Sequence, residues 1–177
     1  MMRSIPVEPA SRKKIWRKPL LSRMPHVLTV LLLAVVALGA CKDDDEVPSQ
    51  SPEEQIADFL ASQNITDAQT TTSGLVYVIN EPGSDERPNP NSSITINYRG
   101  YLTDGTTFDQ TTGSPRTFPL RNLIEGWQEG LQLVGRGGDI QLLIPPSLGY
   151  GNNPPPGTGI TRNSVIVFDI ELIDFSN

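Results

Sequence analysis

The chain has 177 residues, of which 37% are hydrophobic and 19% charged, and its formal net charge is −6. Its one histidine, His26, and its one cysteine, Cys41, both lie at or before the point where the amino-terminal segment would be cleaved. The processed chain then has no imidazole and no free thiol. That excludes histidine-dependent triads, Cys–His nucleophiles, Cys/His zinc sites and CxxC redox centres, and leaves carboxylates, hydroxyls, backbone groups and shaped apolar surface for any chemistry.

The amino-terminal segment carries Arg3, Arg12, Lys13, Lys14, Arg17, Lys18 and Arg23, followed by an apolar run from Val27 to about Gly39 that closes on Leu38-Gly39-Ala40-Cys41. This run is shorter than the roughly 20 apolar residues of a membrane-spanning helix, and its basic flank and small-residue end suit export and cleavage. Residues 1–40 are read as a lipoprotein signal peptide. The motif resembles that of bacterial lipoproteins, which implies that Cys41 becomes the acylated first residue, a palmitate-type anchor to the membrane. Several acyl chains hold stably where one is marginal. The expected location is the cell envelope, on the outer membrane facing the periplasm or the cell surface. Cleavage removes seven of the 14 basic residues and one of the 20 acidic ones, leaving seven against nineteen, a net charge of −12. So acidic a chain lacks the basic footprint of a nucleic-acid binder. Lys42-Asp43-Asp44-Asp45-Glu46 reads either as a solvated spacer or as the Lys-plus-acidic surface-export tag of some Gram-negative lipoproteins, which it resembles.

Residues 41–73 are read as the lipidated cysteine, an acidic tether to about Ser51 and a short helix. Pro52-Glu53-Glu54 opens the helix, with Ser51 as N-cap, Glu54 completing a capping box, and Ile56, Phe59 and Leu60 on one face. A Thr-rich link from Thr66 to Ser73 follows. The remainder, 74–177, reads as one domain patterned mostly as strands. Leu75 to Ile79 is a β-rich run ended by Glu81-Pro82-Gly83; Ile94, Ile96 and Tyr98 alternate with polar residues, as do Ile140, Leu142 and Ile144 up to Pro145-Pro146. The final run, Val165 to Ile173, sends Ile166, Phe168, Ile170 and Leu172 one way and Asp169 and Glu171 the other. These patterns predict a largely antiparallel sheet with one buried and one wet face. The other period appears once: Leu123 or Ile124, Trp127, Leu131 and Val134 are spaced as on an amphipathic helix, which Gly135 to Gly138 would end. The class is α+β, an antiparallel twisted sheet wrapped around one short helix. Gly135-Arg136-Gly137-Gly138 follows a helix and precedes a strand, the reverse of a phosphate-binding loop.

Between Tyr98 and Phe168, aromatic and aliphatic residues are spaced around one carboxylate: Tyr98, Phe108 with Asp109, Leu123 with Ile124, Trp127, Tyr150, Ile160 and Phe168. Together they describe an apolar cup suited to a proline ring.

The motifs Asn97-Tyr98-Arg99-Gly100-Tyr101-Leu102, Asp104-Gly105-Thr106-Thr107-Phe108-Asp109, Leu123-Ile124-Glu125-Gly126-Trp127-Gln128-Glu129-Gly130, Ile144-Pro145-Pro146 with Gly149-Tyr150-Gly151, and Val167-Phe168-Asp169-Ile170-Glu171-Leu172 occur in this order. Together they resemble the FKBP-type peptidyl-prolyl cis-trans isomerases over about a hundred residues. The resemblance implies an FKBP-like fold with Trp127 as pocket floor, Tyr98, Phe108 and Phe168 as walls, and Leu123 and Ile160 as rim. It further implies that the Ile124 N–H holds a substrate carbonyl, that the Tyr150 hydroxyl donates to a carbonyl at or beside the isomerising bond, and that Asp109 polarises the pocket beside Tyr98. The implied partners are Pro-containing polypeptides, with macrolide immunosuppressants as inhibitors and no cofactor or metal. Two departures stand out. The additional pocket aromatic of the best-known small members falls at Arg116 or Thr117, and the paired prolines usual before the last strand are replaced by Thr161-Arg162. An alternative from another class is a surface lipoprotein that binds Pro-containing segments with little or no turnover.

Overall fold

The computed structural model describes residues 50–177, so the segment read as a signal peptide, Cys41 and most of the expected tether lie outside the described residues. The first element is a helix, α1, Pro52–Ser62. Its start follows the sequence closely: the Ser51 hydroxyl accepts the Glu54 N–H and the Glu54 carboxylate accepts the Ser51 N–H, a reciprocal pair that satisfies two otherwise orphaned donors.

Seven strands follow: β1 Gln69–Thr70, β2 Val76–Glu81, β3 Ser93–Leu102, β4 Thr107–Gln110, β5 Arg116–Pro119, β6 Gly138–Ile144 and β7 Ile166–Ser176. A second helix, α2, Glu125–Gly130, lies between β5 and β6. The strands form one sheet in the order β1-β2-β6-β7-β3-β4, with β5 also paired to β3, and every pairing is antiparallel. The Thr-rich link thus contributes a short edge strand. β7 runs three residues past its expected end at Ile173: a register shift opposite Thr95 and Ile96 turns Phe175 back inward, 4% exposed and opposite Ile94.

The inner face carries Ile94, Ile96 and Tyr98 from β3, Ile140, Leu142 and Ile144 from β6, and Ile166, Phe168, Ile170 and Leu172 from β7, all buried. α2 lies against this face. A Cβ on Gly126 would stand 2.7 Å from Ile144 Cγ2, so glycine is what lets this helix come so near the sheet. The helix is shorter than its apolar spacing predicts. It stops at Gly130, continues as a tight 3₁₀ turn over Leu131–Leu133, and is extended by Val134. Leu131 and Val134 are nonetheless fully buried. Their spacing reported burial correctly, but burial does not require the α period to continue through a Gly and a 3₁₀ turn.

The expectation of one wet face is corrected by α1. On the outer face, Ile56 and Phe59 pack with Val76, Tyr101, Leu143, Val165 and Val167, a second apolar cluster separate from the inner one. At about 1.5–3 kcal/mol per large apolar side chain removed from water, that cover is a substantial part of the fold's stability.

Candidate active site: an aromatic pocket on the inner face

The site begins with Tyr98. Strand alternation turns it inward, and its ring meets Trp127 edge-on at 5.2 Å between centroids. Trp127 sits in the first turn of α2 and is 4% exposed. Phe168, from β7, meets Trp127 edge-on at 4.9 Å and Tyr98 at 6.3 Å. Three rings supplied by three elements thereby meet, Trp127 edge-to-face with each of the other two and Tyr98 tilted against Phe168, edge-to-face pairs being worth about 0.5–1.5 kcal/mol each beyond burial. Phe108 stacks edge-on against Phe168 at 5.5 Å. Gly100 makes that possible, since a Cβ there would lie 2.5 Å from Phe168 Cε1 and 2.7 Å from Phe108 Cε2.

Above these rings opens a hollow of about 320 Å³ lined by Tyr98, Asp109, Arg116, Phe118, Asn122, Leu123, Ile124, Trp127, Tyr150 and Phe168. Trp127 is therefore deeply set but borders an open pocket. Of the nine residues picked out by sequence, seven border this hollow. Phe108 supports Phe168 from outside the lining. Ile160 is 8% exposed and faces the separate hollow formed by residues 152–162.

Reasoning from sequence passed over Arg116 and Phe118 as pocket residues. Arg116 Nη1 donates to the Tyr98 hydroxyl at 3.1 Å, and that hydroxyl donates to Asp109 Oδ2 at 2.7 Å. The position of the expected extra aromatic is thus taken by a cation, which also lies over the Tyr98 ring at 6.0 Å. Phe118 meets Tyr98 edge-on at 6.5 Å. Arg116 and Phe118 are two apart on β5 and so share a face, but the pairing of β5 with β3 that brings them to Tyr98 is tertiary.

The polar groups at the rim are few. Burial, then the hydrogen bond to Asp109, pushes the Tyr98 hydroxyl up to about 12. Burial, then the Asp109 charge, pushes the Tyr150 hydroxyl up as well. Both phenols are neutral donors at neutral pH. Among the described residues, the Tyr150 hydroxyl and the Ile124 N–H have no hydrogen-bond partner; Ile124 is the N-cap of α2, so its N–H precedes the helical ladder. The Trp127 indole N–H is buried without a partner too, a local cost of about 1–3 kcal/mol carried at the site. Among the described residues no group of three or more His, Cys, Asp or Glu is placed to hold a metal.

The chain is thus an α+β protein with one antiparallel sheet, a short helix against its inner face and an aromatic hollow at the helix start. The family model of the FKBP-type peptidyl-prolyl cis-trans isomerases matches residues 84–173, and the chain belongs to this family. It is 45% identical over 108 residues to the FKBP-type isomerase FkpA of Escherichia coli K12, an alignment covering 60% of this chain and 39% of that protein. The chain thus spans well under half the length of that relative. The crystal structure of Escherichia coli FkpA superposes with a TM-score of 0.63 at 38% identity, covering 70% of this chain and 58% of the other. A peptidyl-prolyl isomerase structure from Pseudomonas syringae superposes with the same TM-score at 30% identity, covering 75% of this chain and 98% of that one.

Proposed function

We propose that the protein is a membrane-anchored peptidyl-prolyl cis-trans isomerase that speeds the folding of exported proteins. The observation that carries the reading is the hollow floored by Trp127 and walled by Tyr98 and Phe168, with two unengaged donors, the Tyr150 hydroxyl and the Ile124 N–H, at its rim.

Rotation about an X-Pro amide is opposed by a barrier of roughly 18–20 kcal/mol, because conjugation is lost in the twisted state. No covalent bond breaks, so the protein needs only to bind the twisted amide better than the planar one, at about 1.4 kcal/mol per tenfold gain. The twisted form has less charge on its oxygen and a more pyramidal nitrogen. Transfer from water into the aromatic hollow withdraws hydrogen-bonding solvent that favours the planar form, and so lowers the barrier. The Ile124 N–H and the Tyr150 hydroxyl hold the flanking carbonyls, confining rotation to one bond. Arg116 and Asp109 fix the Tyr98 hydroxyl between them, which keeps that ring oriented as a wall.

The expected substrates are Pro-containing segments of unfolded or loop regions, and macrolides that fill the same hollow would compete with them. Cys41 would carry the lipid that holds the domain at the outer membrane. The full chain, solubilised in detergent, should accelerate cis/trans exchange of a Pro-containing peptide measured by NMR, and should speed the proline-limited refolding of a client protein. Unchanged exchange with wild-type protein would refute the enzymatic reading; peptide binding without acceleration would favour the binding module.

A further inference from the structure

The helix α1 lies outside the matched family region of residues 84–173, yet it buries a polar side chain against that region. Gln55 is 6% exposed. Its Oε1 accepts the N–H of Val165 at 3.2 Å, and its Nε2 donates to the carbonyl of Asn163 at 3.4 Å and to that of Gln50 at 3.1 Å. All three polar positions of the amide that can be served here are served. The orientation is unambiguous, because one partner is a donor and two are acceptors.

The partners of Gln55 occupy a particular place. Asn163 and Val165 are the exit of the loop that joins β6 to β7, and Asn163 adopts the left-handed conformation with φ +60°. The Asn163 N–H donates back to the carbonyl of Gly151 at 3.4 Å, closing the neck of the loop. Gly151 directly follows Tyr150, whose carbonyl accepts the Asn153 N–H at 3.0 Å. Thr161 and Ser164 are tied hydroxyl to hydroxyl at 2.8 Å on the same stretch. Gln55 thus grips from the outer face a neck whose other side carries the pocket tyrosine. An apolar side chain would fill the same space but would leave the Val165 N–H without an acceptor.

We propose that Gln55 is a positioning residue for the loop that carries Tyr150, and that α1 is a brace through which the segment preceding the domain sets the open side of the pocket. The proposal rests on the isomerase reading for its effect on turnover, but its effect on the loop does not. The test compares full-length wild type with Gln55→Met, which keeps the shape and removes the hydrogen bonds, by amide hydrogen exchange and by peptide cis/trans exchange. The expected result is faster hydrogen exchange confined to residues 151–165 and a roughly three- to tenfold lower kcat/KM, the factor that one or two lost hydrogen bonds supply. In the background of Tyr150→Phe, the further loss from Gln55→Met should largely vanish, since both act through one hydroxyl. A merely structural role would lower thermal stability and leave that non-additivity absent. Ser51→Ala, which weakens only the cap of α1, should give the same loop signature at smaller size, and it carries the test if Gln55→Met does not fold. Unchanged loop exchange in the folded variants, or additive losses with Tyr150→Phe, overturns the brace. If wild type shows no turnover, the isomerase reading fails, while the loop's hydrogen exchange still decides whether Gln55 holds it.

Discussion

Tyr98 and Tyr101 stand three residues apart on β3 and, by strand alternation, on opposite faces of the sheet. Their surroundings are close copies. Each hydroxyl donates to a carboxylate, Tyr98 to Asp109 at 2.7 Å and Tyr101 to Asp169 at 3.1 Å, and each ring has an arginine over it, Arg116 at 6.0 Å and Arg99 at 4.5 Å. Burial, then a neighbouring carboxylate, pushes both up to about 12. What differs is the cover. Over Tyr98, α2 presents the edge of Trp127 and leaves a hollow; over Tyr101, α1 lays Phe59 at 6.3 Å and Gln141 fills the remaining hydrogen bonds. The same tyrosine, carboxylate and arginine border an aromatic hollow of about 320 Å³ on one face and, on the other, a joint beneath Phe59 with a smaller hollow of about 210 Å³ beside it, so the chemistry of the trio does not by itself make a site. The space above it does.

That contrast can be broken most strongly at the floor of the hollow. Trp127→Ala should cost about 3–5 kcal/mol in urea unfolding, as large aromatic truncations do, and should abolish acceleration of peptide exchange in the fraction that remains folded. Full activity in this variant would mean that the hollow is not the site. Gly100→Ala comes next, since its methyl group would push Phe168 and Phe108 apart; overpacking of this kind costs about 1–3 kcal/mol and should weaken peptide binding, read by titration.

A smaller and more discriminating pair is Tyr98→Phe against Tyr101→Phe. The first leaves the exposed Asp109 and Arg116 free to find water, so about 0.5–1.5 kcal/mol of stability is expected to go, together with a clear fall in exchange rate. The second takes the phenol from the half-buried Asp169 and Gln141, which stay bonded to each other at 2.9 Å, and should likewise cost about 0.5–1.5 kcal/mol of stability, while leaving the exchange rate near wild type. Equal losses of rate in both would erase the distinction between the two faces.

The smallest effect is alkaline. A phenol whose folded pKa is raised holds its proton more tightly in the folded state, so the stability it contributes is fully present below the ordinary value of 10.0 and is lost as pH rises through about 12. Ultraviolet titration should therefore show late phenolate transitions for Tyr98 and Tyr101, with Tyr150 also delayed, and unfolding free energy should fall across that window rather than near neutrality. With no imidazole or thiol among residues 50–177, exchange activity should be flat between about pH 6 and 9.

The periodicities located the inner-face residues of β3, β6 and β7 except Phe175, which a register shift turns inward, because alternation is a local property of the strand and survives in one dimension. The capping box of α1 was equally local, and so equally readable. The outer face was misread as wet although a hint was present: Leu142-Leu143-Ile144 and Val165-Ile166-Val167-Phe168 are apolar without alternation, which is how strands covered on both sides read. Choosing a cover for Leu143 and Val167 required knowing that Ile56 and Phe59, 84 to 111 residues earlier in the chain, fold back over them.

By itself, then, the sequence determined the fold class, the two helices, the four longest strands, the alternating part of the inner core and seven of the residues around the hollow, since each is written in short-range spacing or in motifs whose order is preserved. Tertiary structure alone decided that Arg116 reaches Tyr98, that Phe108 and Ile160 stand outside the lining, and that Gln55 hydrogen-bonds Asn163 and Val165. Those facts depend on distances of a few ångströms between segments far apart in the chain, and no local pattern encodes such a distance.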